Sequence, residues 1–118
     1  DSVFLLGHKN PAIDYISSAD LVVIPSRNEG FSYVFAEALL EQTPVISTNV
    51  PIPNEVLPKE YLCAIDSVEA IGQLLETTLS DMSRLEHSFS PIFDYAKKNL
   101  TLSHSRDKTL AAYSALIE

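Results

Sequence analysis

The stretch LVVIPSRNEGFSYVFAEALLEQTPVISTNV, residues 21–50, decides the fold class. Residues 21–24 are an apolar, largely β-branched run that ends at Pro25, as expected of a buried strand. Apolar residues then recur at helical spacing, at Val34, Phe35, Ala38 and Leu39. Residues 44–48 form a second β-type run, with proline tolerated at its first position. A strand, a helix and a strand in this order predict a β-α-β unit of a parallel sheet.

Two more apolar runs extend this unit in both directions along the chain. Residues 3–6, which end at Gly7, predict a buried strand before it, and residues 61–65 predict another after it. We therefore expect an α/β fold, a partial Rossmann-like, doubly wound parallel sheet of about four strands with flanking helices. No repeat or break in composition divides the chain, so residues 1–118 are predicted to be a single domain.

Local signals place the first helices and the loops. Asn10 is predicted to cap a short helix that has Pro11 at its first position. The three prolines of residues 49–58 predict a loop with at most a short helix around residues 54–57.

The last third of the chain is predicted to be helical. Asp66 and Ser67 are expected to cap a helix over residues 68–79. Two further helices are expected over residues 91–100 and 103–118, and the second of them should group its apolar side chains on one face, at Leu110, Ala112, Tyr113 and Leu116.

Composition excludes several classes of partner and site. The net charge of −8, from 8 Lys+Arg and 16 Asp+Glu, argues against nucleic acid or an anionic membrane surface as a primary partner. The single Cys63 allows neither an internal disulfide nor a thiolate metal site, which fits the cytoplasm. No apolar run approaches the length of about twenty residues that a transmembrane helix needs. The three histidines lie far apart, so no metal site is predicted.

Three loops are expected at the carboxyl ends of the strands, where open parallel sheets bind ligands: residues 7–10, 26–32 and 49–54. In the middle loop, the backbone N–H groups of Phe31, Ser32 and Tyr33 are predicted to open a helix. Such unpaired donors attract an anion such as phosphate. Gly30 would let the ligand approach the backbone closely.

Two carboxylates flank this predicted helix start. Glu37 follows Glu29 by eight residues, about two helical turns, so both carboxylates could accept hydrogen bonds from hydroxyl groups of one ligand. The alternative is structural: a glutamate in a first turn often favours the helix dipole, and one in a helix body usually faces solvent. The apolar residues around Glu37 predict a mostly buried helix in which this charge would need a partner.

Residues 19–31, then Glu37-Ala38-Leu39, then residues 43–48 resemble the carboxyl-terminal domain of the retaining GT-B glycosyltransferases of family 4. The pair Glu29 and Glu37 is similar to the Glu-x7-Glu motif of that family. It is preceded here by Pro-Ser-Arg and followed by Thr-Pro-Val-Ile-Ser-Thr. The residues Gly7, Asn10-Pro11, Pro51 and Glu55-Val56-Leu57 resemble a subgroup found in surface-polysaccharide and lipopolysaccharide assembly.

The resemblance implies a donor site for a nucleotide-diphosphate sugar, which is a substrate and not a cofactor. Glu37 would accept hydrogen bonds from the ribose hydroxyls and Glu29 would contact the donor sugar, with Gly30, Phe31 and Ser32 facing the sugar and diphosphate. The enzyme would transfer a hexosyl or N-acetylhexosaminyl group in the cytoplasm, or at the inner membrane as a peripheral protein.

The resemblance also implies departures from the family. Ser32 and Gln42 stand where the family often has glycine, and Gln42 falls at a helix end that favours left-handed backbone. The acceptor domain and the diphosphate-binding Arg and Lys of the family lie on earlier segments. We therefore expect a truncated enzyme that is inactive alone. The alternatives are a stand-alone nucleotide-sugar-binding module and a structural fragment without a competent site.

The resemblance further implies the strand order 3-2-1-4-5-6, in which residues 3–6 are the third strand and residues 21–24 the fourth. The two strands between them are missing from this chain. We therefore expect residues 3–6 either to pair directly with residues 21–24 or to pair with another chain in a strand-mediated homodimer.

Overall fold

Three short parallel strands form the sheet. The computed structural model describes residues 2–117. Within this range the strands are β1 (Val22–Ile24), β2 (Val45–Thr48) and β3 (Leu62–Cys63), in the order β1-β2-β3. Both pairings are parallel, with Val22 opposite Val45 and Ser47 opposite Leu62. The predicted α/β class with a partial Rossmann-like parallel sheet is confirmed, with three strands in the described residues instead of about four.

Helices connect and cover these strands. They are α1 (Ile13–Ser17), α2 (Tyr33–Leu40), α3 (Pro51–Val56), a 3₁₀ turn (Lys59–Tyr61), α4 (Val68–Leu79), α5 (Met82–Asn99) and α6 (Leu102–Ile117). Helix α2 connects β1 to β2 and packs on β2, while α4 packs on β2 and β3. All four residues of β2 are buried. Because successive side chains of a strand point to opposite faces, both faces of the central strand are covered.

The core lies between the sheet, α2 and α5. Its fully buried members include Phe35, Leu39, Val45, Ile46, Leu85 and Phe89. Helix α5 contributes a single stripe at helical spacing, formed by Leu85, Phe89, Ile92 and Ala96. The ring of Phe89 lies 4.9 Å from that of Tyr61 and 5.6 Å from that of Phe93, measured between centroids. This aromatic group joins α5 to the 3₁₀ turn before β3.

Helix α5 begins nine residues earlier than predicted. The sequence placed its start at Pro91, whereas the helix starts at Met82 and Pro91 lies in its interior. The side chain of Asp81 caps this start, accepting a hydrogen bond from the backbone N–H of Arg84 at 3.0 Å. An interior proline costs about 3 kcal/mol, and the buried stripe on both sides of Pro91 offsets this cost.

The proline-rich segment is more helical than predicted. Helix α3 spans Pro51–Val56, where the sequence predicted a loop with at most a short helix near its end. Pro51 and Pro53 both fall in the first turn, where backbone N–H groups have no helical partner in any case. The strand predicted over residues 61–65 shortens to β3, because the 3₁₀ turn takes up Tyr61.

The starts of α4 and α1 differ in how well local sequence predicted them. The predicted cap of α4 is confirmed, since Ser67 Oγ accepts a hydrogen bond from the backbone N–H of Ala70 at 3.1 Å. Helix α1 begins at Ile13, two residues after the predicted first position at Pro11, and Ala12 provides no side-chain cap. A helix without a capping side chain leaves no signal at its start.

The predicted strand at residues 3–6 is wrong. These residues pair with no strand of the described chain, and Val3, Phe4 and Leu5 are 90, 78 and 98% exposed. A strand is stable only when its N–H and C=O groups meet a partner, and no strand of the described residues lies beside this segment. Direct pairing of residues 3–6 with β1, one of the two expected outcomes, is therefore excluded in this structure.

The apolar residues of α6 are not packed. Leu110, Tyr113 and Leu116 are 57, 62 and 82% exposed, and α6 has no buried residue within the range described. The helix itself is confirmed up to Ile117, and the predicted last residue, Glu118, lies outside the described residues. The apolar side chains do not share one face as predicted, because Leu110 and Ala112 lie about 160° apart around the helix, and no other element of the described chain covers them.

Helix α2 ends in a Schellman motif in which Gln42 has a φ of 61°. The Thr43 N–H donates to the Ala38 carbonyl at 2.8 Å and the Gln42 N–H donates to the Leu39 carbonyl at 3.1 Å. The left-handed backbone expected at Gln42 is confirmed.

We predict that Gln42→Gly raises the free energy of unfolding by about 1 kcal/mol, because glycine adopts this conformation without a steric penalty. Urea unfolding measures the change. Glu41→Gly is the matched control, since Glu41 has a φ of −78° and gains nothing from glycine. The prediction fails if Gln42→Gly is no more stable than the wild-type chain.

None of the helices in residues 2–117 combines the length and the apolar character that crossing a bilayer requires.

Candidate functional site

The carboxyl ends of the three parallel strands open into loops at one edge of the sheet. A cavity of about 440 Å³ at this edge is lined by Pro25 and Arg27 after β1, by Thr48 at the end of β2, and by Asp66 and Ser67 after β3. Arg27 and Asp66 form an ion pair across this cavity. Both side chains are largely exposed, so the pair adds little stability.

Glu29 lies in the loop between β1 and α2 and is half-buried. Its Oε1 accepts a hydrogen bond from Ser26 Oγ at 2.6 Å. The main-chain carbonyl of Ser26 in turn accepts a hydrogen bond from Thr48 Oγ1 at 2.5 Å. The carboxylate is therefore oriented by the chain and is not a freely solvated side chain.

The three residues after Glu29 differ in accessibility. Gly30 is exposed, and a Cβ at this position would meet no atom within 4 Å, so the space beside its backbone is open. The Phe31 ring is 45% exposed and packs edge-on against Tyr33, with centroids 5.2 Å apart. Ser32 is 1% exposed, and its hydroxyl has no hydrogen-bond partner among the described residues.

Helix α2 begins later than predicted. Ser32 is its N-cap residue, and the first helical hydrogen bond runs from the Ala36 N–H to the Ser32 carbonyl at 3.1 Å. The N–H groups without a helical partner therefore belong to residues 32–35, not to residues 31–33. The Ser32 side chain caps none of them. The anion-binding helix start predicted from sequence moves by one to two residues into the helix.

Glu37 is exposed, which corrects the expectation that its surroundings bury it. The buried face of α2 consists of Phe35, Ala36, Ala38 and Leu39, and Glu37 lies on the opposite side. The high apolar content of α2 therefore does not extend around the whole helix, and its charge needs no buried partner.

Glu37 lines a cavity of about 450 Å³ together with residues 8–13. His8, Lys9 and Asn10 contribute polar and basic groups to the same cavity. The first loop singled out from sequence, residues 7–10, thus meets Glu37 in space. Glu29 is not among the residues that line this cavity.

The third loop singled out from sequence lies elsewhere. Asn49 and Asn54 line a separate cavity of about 420 Å³, which also includes Lys59 and Cys63. Partial burial raises the pKa of the Cys63 thiol, so it stays protonated near neutral pH. Within residues 2–117, no three His, Cys, Asp or Glu side chains are arranged to hold a metal ion.

Sequence reasoning missed the residues that hold the β1–α2 loop. From sequence, Ser26 and Thr48 belong to a predicted loop, a predicted strand and the motifs that flank the two glutamates, but no contact with Glu29 is predicted for either. The partner of Arg27 is Asp66, 39 residues away along the chain. Bonds between residues so distant in sequence leave no periodic pattern, whereas the Ser26–Glu29 spacing of three residues is a turn signal that could have been read.

The loops described above lie within the region of this chain that matches a known family. The family model described as "Glycosyl transferases group 1" matches residues 1–81, more than half of the 118 residues. Comparison with curated proteins and with solved structures gave no match. The match spans all three strands and both carboxylates, Glu29 and Glu37. This chain therefore belongs to the group 1 glycosyltransferases.

Proposed function

We propose that this chain is the nucleotide-sugar-binding portion of a retaining glycosyltransferase, from the carboxyl-terminal domain of a family 4 enzyme of GT-B fold. The observation that carries the proposal is the exposed Glu37 carboxylate beside a cavity of about 450 Å³, eight residues after Glu29. A cavity of this size is within the range of small-molecule sites. Membership of the glycosyltransferase family supports a nucleotide-diphosphate sugar as the ligand.

Glu37 is the ribose-binding residue in this proposal. An ionised carboxylate accepts hydrogen bonds from two neighbouring hydroxyl groups, which is the pattern that a ribose 2′,3′-diol presents. Lys9 lines the same cavity and supplies a positive charge for an anionic ligand.

Glu29, Gly30, Phe31 and Ser32 form the donor-sugar side of the site. Glu29 offers a carboxylate held in place by Ser26, and the open space beside Gly30 lets a ligand approach the backbone. The unpaired N–H groups at the start of α2 favour a negatively charged group such as a diphosphate nearby.

We place this activity in surface-polysaccharide or lipopolysaccharide assembly, on the resemblance of residues 7–11 and 51–57 to that subgroup. We further propose that a separate amino-terminal domain binds the acceptor. Lys9 and Arg27 are the basic residues near the proposed site, and Arg27 is already paired with Asp66. A leaving diphosphate needs more positive charge than Lys9 alone provides.

Isothermal titration calorimetry with UDP-glucose, UDP-N-acetylglucosamine, GDP-mannose, UDP and GDP tests the proposal. We expect binding of at least one nucleotide sugar, with donor hydrolysis at background. Glu29→Ala should weaken the nucleotide sugar while leaving the matching nucleoside diphosphate nearly unchanged. Absence of binding to every probe would overturn the proposal. Turnover on the order of 1 per second would contradict the expected inactivity.

We also propose that residues 3–6 pair with a second copy of the chain. β1 has no partner on its outer edge within residues 2–117, and the apolar side chains of residues 3–6 are exposed. Two copies that each add this segment to the partner's β1 would pair the open edge of β1 and cover the exposed apolar side chains of residues 3–6. Sedimentation at several concentrations and amide exchange at residues 3–6 test this, and a monomer with an unprotected segment would refute it.

A further inference from the structure

The hydroxyl groups of Thr48 and Ser26 connect strand β2 to Glu29. Thr48 Oγ1 lies 2.5 Å from the Ser26 carbonyl oxygen and 3.3 Å from that of Ile24, so the shorter contact takes its one proton. The single hydroxyl proton of Ser26 goes to Glu29 Oε1 at 2.6 Å. Ser26 thus links the sheet to the carboxylate, because its main-chain carbonyl accepts from Thr48 and its hydroxyl donates to Glu29.

We propose that Ser26 and Thr48 are positioning residues that hold Glu29 toward the donor sugar. The inference rests on the proposed function, because that function supplies the donor sugar that Glu29 would contact. A glutamate side chain loses substantial rotamer freedom when it is ordered, and a ligand that has to order it binds more weakly. The bond from Ser26 orders Glu29 before the ligand arrives.

The hydrogen bond from Ser26 occupies one of the two oxygens of the Glu29 carboxylate. A hydroxyl donating to an ionised carboxylate is among the stronger hydrogen bonds, and 2.6 Å is typical of its length. It engages Oε1, whereas Oε2 accepts no hydrogen bond from residues 2–117. One oxygen is therefore held by the chain, and the other is left to accept a hydrogen bond from a sugar hydroxyl.

Thr48 has a fixed position in the sheet, so it can hold the loop that carries Ser26 and Glu29. It is 4% exposed, it is the last residue of β2, and it pairs in register with Cys63 of β3. Moving it would disrupt the sheet. The Arg27–Asp66 ion pair holds the same loop from the other side, but its side chains are 83 and 60% exposed and constrain the loop weakly. We therefore assign the positioning role to the two hydroxyl groups.

The experiment compares Ser26→Ala and Thr48→Val with the hydroxyl-retaining variants Ser26→Thr and Thr48→Ser. Thr43→Val is the matched control, because Thr43 Oγ1 also donates to a main-chain carbonyl, that of Ile16 at 3.0 Å, away from the loop. Calorimetry measures affinity for UDP-glucose, UDP-N-acetylglucosamine and GDP-mannose, and for UDP and GDP. Amide exchange over residues 29–31 reports loop order without a ligand.

We expect Ser26→Ala and Thr48→Val to weaken nucleotide-sugar binding by about 10-fold while nucleoside diphosphates change by less than about 2-fold. The hydroxyl-retaining variants should bind like the wild type. Thr43→Val should lower stability without changing the ratio of the two affinities. Ser26→Ala combined with Glu29→Ala should bind no more weakly than Glu29→Ala alone, because both remove the same contact. Exchange over residues 29–31 should rise in the two hydroxyl-deleting variants only.

The outcomes separate this inference from the function it rests on. A wild-type chain that binds none of the probes overturns both. If Glu29→Ala selectively weakens nucleotide sugars and Ser26→Ala does not, the positioning role is wrong and the proposed function stands. Equal losses of nucleotide-sugar and diphosphate binding in Ser26→Ala also refute the positioning role.

Discussion

Replacing Glu37 with alanine is expected to weaken the binding of nucleotide sugars and of free nucleoside diphosphates by about 10- to 100-fold. A hydrogen bond to a charged group contributes roughly 1.5 to 3 kcal/mol, and 1.4 kcal/mol corresponds to a factor of ten. Both ligand classes carry the ribose, so both should lose affinity to a similar extent. This pattern differs from that of Glu29→Ala, which should affect the sugar-bearing ligands alone.

Because Glu37 is exposed, this test separates a loss of binding from a loss of folding. A substitution at an exposed helical position changes the free energy of unfolding by no more than about 0.5 kcal/mol, so lost binding would not reflect lost folding. Glu41→Ala is the matched control, since it removes an equal charge from an exposed residue one turn later. Equal losses in the two variants would show that net charge and not a specific contact is responsible, and would contradict the assigned role.

Phe89→Ala is expected to lower the free energy of unfolding by about 3 to 5 kcal/mol. Phe89 is fully buried, and its ring contacts those of Tyr61 and Phe93. Its removal leaves a cavity between α5 and the 3₁₀ turn before β3. Since domains of this size are stable by only about 5 to 15 kcal/mol, the variant should unfold at much lower urea concentration.

Phe4→Ala provides the comparison for the core substitution. It removes the same aromatic ring from a position that is 78% exposed in the single chain, so the unfolding free energy should change by less than about 0.5 kcal/mol at protein concentrations too low for two copies to associate. A small effect of Phe89→Ala, similar to that of Phe4→Ala, would mean that α5 does not pack against α2 and the 3₁₀ turn as described.

Local features of the fold could be read from the sequence because they depend on neighbouring residues. The strands at β1 and β2 and the helix between them follow from apolar periodicity. Ser67 caps α4 through a bond to a residue three positions away, and Gln42 takes the left-handed conformation that a helix end favours.

Helix α5 shows where local rules gave the wrong boundary. The apolar spacing of residues 92–100 predicts a helix that begins at Pro91. In the structure the helix continues through it, because burial of Phe89 on one side and Ile92 on the other outweighs the local cost. The balance between these terms is set by the core, which a local pattern does not describe.

The same distinction between local sequence and tertiary packing applies to the candidate site. Glu29 and Glu37 could be identified from sequence because their spacing and flanking motifs are linear, and they coincide with the matched family region. Glu37 is exposed because it lies opposite the face of α2 that packs on the core. It shares a cavity with residues 8–13 because α1 packs against α2.

The sequence by itself determined the α/β class and the unit of β1, α2 and β2, and it predicted the two carboxylates as candidate site residues, since each of these features is encoded within a few neighbouring residues. Only the tertiary structure decided which residues are exposed to solvent and which are held in place by hydrogen bonds. Residues 3–6 have the composition of a buried strand and yet lie exposed, because a strand needs a partner that composition does not specify. Glu29 is oriented through Thr48, nineteen residues further along, because two parallel strands end side by side.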